Sequence, residues 1–255
     1  MERRAIPRFT EVAEFASGIG NDLLDLIFPA LCIVCDQELP TAQMVLCPLC
    51  RASVVRIGRR GCRKCGAEPL PGSSPRPARC RRCARRNFAF QRAVMATCYS
   101  GSIRELVLAV KFRRRREGLH FLARELARAL RETSVANRVG LVTAVPLHPL
   151  RRLVRGFDQA DLLARLIARQ LGLPHRGGML RRTRKTSAQA EADPASRAGR
   201  MEGAFRARWF RRRRIRGRSV LLVDDVMSTG ATADAAARAL LLAGAKKVYV
   251  ASGAS

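Results

Sequence analysis

Eight cysteines in four pairs of identical spacing, CIVC (Cys32, Cys35), CPLC (Cys47, Cys50), CRKC (Cys62, Cys65) and CRRC (Cys80, Cys83), restrict what the first third of the chain can become. Residues 32 to 83 hold glycine and proline between the pairs and too few apolar side chains for a core of their own. Two thiolates separated by two residues sit on one knuckle and fill half the tetrahedral shell of a zinc ion. Four pairs therefore supply ligands for two ions, and metal binding takes the place of a hydrophobic core. Sequential pairing (32/35/47/50 and 62/65/80/83) spans intervals of 11 and 14 residues, and interleaved pairing fits the spacing as well. Redox-active pairs are the competing chemistry, although four tandem copies lack a thioredoxin-like setting. The ninth cysteine, Cys98 in VMATCYS, reads as a small buried apolar side chain.

Eight free thiolates suit a reducing compartment. The N-terminal segment carries Glu11, Glu14, Asp22 and Asp25 without an uninterrupted apolar stretch, so no secretory signal is expected. No run approaches the roughly 20 apolar residues of a membrane span, and a cytoplasmic protein is expected. Lysine and arginine total 49 against 20 acids, for a net charge of +29. Such an excess attracts polyanions, nucleic acid or phosphorylated metabolites, with salt-dependent affinity, unless most of the arginines only solvate the surface.

Along the chain, residues 9–28 have helical apolar spacing and stop at Pro29, which predicts an amphipathic helix within an N-terminal segment of 1–30. The cysteine module follows over 31–87, and a second domain over 88–255. That domain alternates strands with helices: VMATCYS, IRELVLAVKF, FLARELARAL, LVTAVPL (141–147), QADLLARLIARQLG ending at Gly172, a short strand at Phe205, SVLLV (219–223), a helix over 231–242, and KKVYVAS. The alternation predicts an α/β fold with a parallel sheet and flanking helices.

In LLVDDVMSTGAT (221–232), a buried parallel strand stops at two adjacent acids, and a Ser-Thr-Gly turn leads into a helix. Open α/β sheets bind ligands at the carboxyl ends of their strands, and free amides at a helix start favour a phosphate. Ser228 and Thr229 bring hydroxyls, and Gly230 lets the backbone approach without a Cβ. Adjacent acids beside an anion site repel unless they meet hydroxyls, a cation or a metal-bound ligand. A ribose 5-phosphate satisfies both halves, with the acids on its 2- and 3-hydroxyls and the turn on its phosphate. The plain alternative is a strand-to-helix turn capped by Ser or Thr. No Walker loop occurs.

This stretch resembles the phosphoribosyl-pyrophosphate (PRPP) signature of type I phosphoribosyltransferases. With the cysteine pairs, KF (111–112), AVPLH (144–148), RGFDQA (155–160), RTRKTSAQ (182–189) and GAF (203–205), the chain from about residue 20 onward resembles the ComF family of competence-associated proteins. The resemblance implies a type I phosphoribosyltransferase-like domain behind a double zinc ribbon with two structural zinc ions. It assigns Asp224 and Asp225 to the ribose hydroxyls, and Ser228, Thr229, Gly230, Ala231 and Thr232 to the 5-phosphate. Pyrophosphate falls to the loop that carries His148, Arg151, Arg152 and Arg155. Magnesium would arrive with PRPP, held mainly by ligand oxygens. The tract 181–200 resembles a lid, with Arg184, Thr186, Gln189 and Arg197 fitting the pattern, and a polar linker is the alternative.

Asp158 stands where the family has Asn, Ala144 where it has Pro, Ser228 where it has Thr and Arg200 where it has Asn. The implied activity is ribosyl transfer from Mg-PRPP to a nitrogen nucleophile, and the implied partners are single-stranded DNA and competence proteins. A non-catalytic nucleic-acid adaptor that keeps PRPP as a regulatory ligand is the alternative. The arginines of Arg76–Arg86 fit either a DNA contact or a solvated knuckle. Of the histidines outside the pyrophosphate loop, His120 fits a packing or surface position on a helix, and His175, after Pro174, is expected to be exposed.

Overall fold

The computed structural model describes residues 30–41, 43–68, 80–84, 86–147, 153, 156–183 and 203–255, with the backbone alone at 81 and 82. The helix expected over 9–28 lies outside them. The chain divides into two compact units, Met1–Ala52 and Ser53–Ser255.

In the first unit, Cys32 N donates to Gln37 O (2.8 Å) and Asp36 N to Cys32 O (2.9 Å), which closes one knuckle. Helix α1 (Pro48–Ala52) begins beside Cys47 and carries Cys50. Among the described residues of this unit, Ile33, Val45 and Leu46 are the buried aliphatic side chains, packed with Cys32 and Cys47.

The second unit runs, in chain order, through helix α2 (Arg81–Ala84), strand β1 (Arg92–Thr97), α3 (Gly101–Phe112), α4 (Gly118–Glu132), β2 (Leu141–Ala144), α5 (Gln159–Leu171), β3 (Leu180–Arg182), β4 (Phe205–Ala207), α6 (Arg212–Ile215), β5 (Ser219–Val226), α7 (Ala231–Leu242) and β6 (Lys247–Ala254). The main sheet has the order β1-β6-β5-β2, parallel throughout. Leu221, Leu222 and Val223 are fully buried, as a central strand covered on both faces requires. One face packs Ala93, Met95, Val220, Leu222, Val248 and Val250 against α7 and against Cys62, Cys65 and Cys83. Alternation along the strands turns the intervening residues toward α4 and α5, which lie against each other and against the sheet.

The second cysteine cluster thus shares the sheet's core. The boundary between the compact units, after Ala52, falls between the two clusters and leaves the second in the larger unit. Ala93 N donates to Lys64 O (2.8 Å), Ile57 N to Ala96 O (2.9 Å) and Cys98 N to Val55 O (2.9 Å), so residues 55–57 and 64 occupy the outer edge of β1. The approach is close: a Cβ on Gly66 would lie 2.8 Å from Ala93 O, and Gly66 has φ of +70°. Arg56 adds a forked bond to the buried Glu125 of α4 (2.9 and 3.2 Å). At the opposite edge, Val142 N donates to Pro174 O (3.0 Å) and Arg176 N to Val142 O (2.9 Å), which covers β2.

Three differences from the expected elements matter. The first strand starts at Arg92 rather than Val94, and β3 forms within the polar stretch after Met179 because it pairs antiparallel with β4. Strand β5 continues through Val226 instead of stopping at Val223. Cys98 is buried as expected, its thiol donating to Glu68 Oε2 (3.0 Å), and burial first, then Glu68, push its pKa up to about 12. Among the described residues no helix is long and apolar enough to cross a membrane.

Candidate functional site

Asp224 pairs with Ser252 and Val226 with Ala254, so both acids belong to the strand and not to a loop after it. Consecutive strand residues project to opposite faces, and the two carboxylates consequently have different surroundings. Asp225 Oδ2 meets Lys111 Nζ from the last turn of α3 (2.8 Å) and accepts from Gln159 Nε2 in the first turn of α5 (2.9 Å). Its other oxygen accepts from Val226 N (2.8 Å). Asp224 Oδ1 accepts from Asp225 N (2.9 Å), and among the described residues no cation lies within ion-pair distance of it. Burial first, then the charge of Asp225, raises the Asp224 carboxyl well above the usual carboxylate range. Burial acts on Asp225 too, but Lys111 and Gln159 outweigh it and hold that carboxyl low. The pair is one firm carboxylate beside one that resists ionising. Gln159 is 3% exposed, and among the described residues its Oε1 has no hydrogen-bond partner.

The chain then turns through Met227, Ser228 and Thr229 into α7. Gly230 is the N-cap, with φ of 78° in the left-handed region, and no side chain caps the helix. The nearest substitute is Thr229 Oγ1, 3.4 Å from Ala231 N. Thr232 N and Ala233 N have no acceptor among the described residues. No Ser or Thr side chain caps the helix in the ordinary way, and two amides of its first turn are without an acceptor among the described residues. Glycine is needed twice at position 230, because a Cβ would also lie 3.1 Å from Phe88 Cε1. Residues 86–90 run along this turn: Arg86 Nη1 reaches Thr229 O (3.5 Å), Ala89 N donates to Asp234 Oδ1 (2.6 Å), and Phe88 stacks on Phe90 with centroids 4.8 Å apart. The second cysteine cluster, the turn and the start of α7 are thus one packed neighbourhood.

Ser228 is exposed, Thr229 and Thr232 are half-buried, and Ala231 is buried, all around the helix start. His148, Arg151, Arg152 and Arg155, expected on pyrophosphate, lie outside the described residues, as do Arg184, Thr186, Gln189, Arg197 and Arg200. Asp158 serves the fold, since its Oδ1 caps α5 by accepting from Asp161 N (3.2 Å) and its Oδ2 accepts from Leu147 N (3.3 Å). A carboxylate at a helix start is favoured by the dipole as Asn would be by its hydrogen bond. His175, expected to be exposed, is instead only 16% exposed and pairs with Asp161 Oδ1 (3.1 Å), which holds Asp161 below its usual range. His120 is exposed on α4. Lys111 and Gln159 receive no role from the sequence, although both stand inside the KF and RGFDQA motifs.

Sequential pairing of the cysteines is the one that forms. The sulfurs of Cys32, Cys35, Cys47 and Cys50, and those of Cys62, Cys65, Cys80 and Cys83, each gather within 4.8 Å of one another. Individual separations are 3.7 Å for Cys35–Cys47, 3.9 Å for Cys62–Cys83 and 3.5 Å for Cys65–Cys80. A tetrahedron with metal–sulfur bonds of about 2.3 Å has edges of about 3.8 Å, so both donor sets fit zinc. Gly66 N donates to Cys62 O (2.8 Å), repeating the Asp36–Cys32 knuckle of the first cluster.

Residues 23–84 match the double zinc ribbon domain family and residues 160–253 the phosphoribosyl transferase domain family. The DNA utilization protein YhgH of Salmonella typhimurium is 34% identical over 231 residues, 88% of this chain and 96% of its own. Competence protein F of Haemophilus influenzae is 27% identical over 222 residues, 86% of this chain and 94% of its own. Among solved structures, the glutamine PRPP amidotransferase from B. subtilis complexed with ADP and GMP is 22% identical, covering 57% of this chain and 30% of its own, with a TM-score of 0.36.

Proposed function

The chain belongs to the ComF family, associated with competence and DNA uptake, and from that premise we propose that its sheet unit binds Mg-PRPP and acts with single-stranded DNA. One observation carries the reading: a carboxylate pair at the end of β5 adjoins a helix start whose cap is a left-handed glycine and whose Thr232 and Ala233 amides have no acceptor among the described residues. Asp224 and Asp225 take the ribose hydroxyls. The orphaned Gln159 Oε1 supports this, since a hydroxyl brought by a ligand would satisfy it. The turn from Ser228 to Thr232 takes the 5-phosphate through backbone amides and hydroxyls.

The described donor set at β5 is two carboxylates, one of them tied to Lys111, too few for an oxygen cage of its own. Magnesium fits as a hydrated ion carried on ligand oxygens, where it would neutralise pyrophosphate charge. Loss of pyrophosphate leaves positive charge at the ribose ring, and the Asp225 carboxylate, held ionised by Lys111, is the fixed negative charge beside it. Arg151 and Arg155 are assigned to pyrophosphate by the family motif they belong to, since guanidinium forks suit its oxygens. Two structural zinc ions in the cysteine clusters complete the holoprotein.

The chain's excess of arginine supports a second reading, an adaptor that binds nucleic acid and keeps PRPP as a regulator. Calorimetry with Mg-PRPP tests the binding, and pyrophosphate release with and without single-stranded DNA or free bases separates transferase from adaptor. No heat at millimolar ligand defeats both readings; heat without pyrophosphate release under any acceptor selects the adaptor.

A further inference from the structure

A cleft of about 490 Å³ opens between the β3–β4 ribbon, the turn Trp209–Arg211, α6 and the last turn of α7. It lies away from the phosphate turn, because α7 begins there and its twelve residues rise about 1.5 Å each, which sets Leu242 about 17 Å off.

Its composition is lopsided. From Gly203 to Val223 there is no acidic residue, while Arg206, Arg208, Arg211, Arg212, Arg213, Arg214, Arg216 and Arg218 fall within thirteen positions. Arg206, Arg208, Arg212, Arg213 and Arg214 are exposed, and among the described residues none has a carboxylate within ion-pair distance. Register adds a second sign of an absent anion. Arg181 stands directly opposite Arg206 across the antiparallel ribbon, both exposed, and like charges facing each other destabilise a strand pair.

Among these cations stand the aromatic rings. Trp209 is 81% exposed and Phe210 54%, arranged edge to face with centroids 5.9 Å apart. An exposed ring among exposed guanidiniums combines the two elements that hold single-stranded nucleic acid: cations for phosphates and a π-face for a base. Duplex DNA keeps its base faces inside the stack, so it can use the cations and not the rings.

We propose that Arg181, Arg206, Arg208 and Arg212–Arg214, with Trp209 and Phe210, form a binding surface for single-stranded DNA separate from the PRPP site. The choice of DNA over RNA rests on the proposed function; the single strand rests on the rings. Acidic side chains would meet the charge but bring no ring to Trp209, whereas each nucleotide carries a base beside its phosphate.

Trp209 is the only tryptophan of the chain, so its emission reports directly on the surface. The zinc-loaded full chain is titrated with oligothymidylate, with oligouridylate and with the corresponding duplex, reading tryptophan emission and the anisotropy of the labelled strand. Oligothymidylate should quench Trp209 and bind more tightly than either competitor. Trp209→Ala should weaken binding about tenfold, as loss of one stacked base does, and Trp209→Phe should restore most of it. Changing Arg212, Arg213 and Arg214 together to Gln should reduce the slope of log affinity against log salt by about 2, at about 0.7 per lost phosphate contact.

Binding without quenching, or an unchanged affinity in Trp209→Ala, overturns the proposal. Equal or tighter binding of oligouridylate or duplex, or quenching by an acidic peptide alone, does so too. Thermal melts of the variants should match the wild type, since the replaced side chains are exposed. Wild-type heat with Mg-PRPP is measured separately, so failure of the PRPP reading shows as absent heat with quenching intact.

Discussion

Replacing Asp225 by asparagine leaves the Lys111 ammonium facing an uncharged amide where a carboxylate stood 2.8 Å away. Removing one partner of a fully buried ion pair costs about 3–5 kcal/mol. Here the two side chains keep 19% and 14% exposure, and solvent screens the loss to about 2 kcal/mol. For a unit of this size about 1 kcal/mol moves Tm by about 2–4 °C, so Asp225→Asn should lower it by about 4–8 °C.

Asp224→Asn should move Tm the opposite way. Asp224 is raised by burial and by its neighbour's charge, so between the ordinary 3.8 and its folded value the native chain binds more protons than the unfolded one, and stability falls as pH rises. Asparagine removes that penalty, a gain of about 1 kcal/mol and about 2–4 °C near neutrality. The gain should vanish as pH falls toward 3.8. The Asp225 contribution has the other sign: present above 3.8 and lost as pH falls through its lowered folded value. Asp225→Asn should also bind Mg-PRPP at least tenfold more weakly, losing a charged hydrogen bond of about 1.5–3 kcal/mol. Thermal melts from about pH 4 to 8 with calorimetry on the same preparations would decide. Shifts of the same sign at neutral pH would refute the unequal pair, and undiminished PRPP affinity would refute its ligand role.

The holoprotein should contain two zinc ions by elemental analysis, and Cys83→Ser should lower the main melting transition, since its cluster shares the sheet's core, while Cys47→Ser should leave that transition in place. Gly230→Ala should cost about 1–3 kcal/mol, because it forces a left-handed φ on a side chain that also meets Phe88, and should weaken Mg-PRPP binding in calorimetry. Asp158→Ala should cost about 1 kcal/mol through loss of the α5 cap and Asp158→Asn almost nothing, measured by urea unfolding.

Much of this was legible locally. The run SVLLV, the Ala-rich helix after Gly230 and the spacing of the cysteine pairs are short-range signals, and the elements formed where those signals stand. What periodicity does not carry is which distant residues meet. Lys111 and Gln159 come from two helices to one oxygen of Asp225, and that convergence makes two adjacent aspartates chemically different. Likewise β3 is three residues at the start of a polar stretch that pair with β4 to form a strand, and Asp158, one side chain away from the family's Asn, keeps the cap that either residue can make. The clusters' pairing depends on the course of the chain between them, since spacing fits two solutions and the fold forms one.

The outer edge of β1 is occupied by residues 55–57 and by Lys64 O of the second knuckle, whose two ends the thiols of that cluster gather. Unwinding the knuckle therefore uncovers a row of unpaired amides and carbonyls on a strand whose residues from Ala93 to Thr97 are all buried. An open apolar edge is a template for another strand. Zinc in this cluster accordingly guards against self-association as well as against melting. Chelated protein should be lost from solution as growing aggregates that scatter light before it is lost as monomeric unfolded chain, and concentration should accelerate the loss.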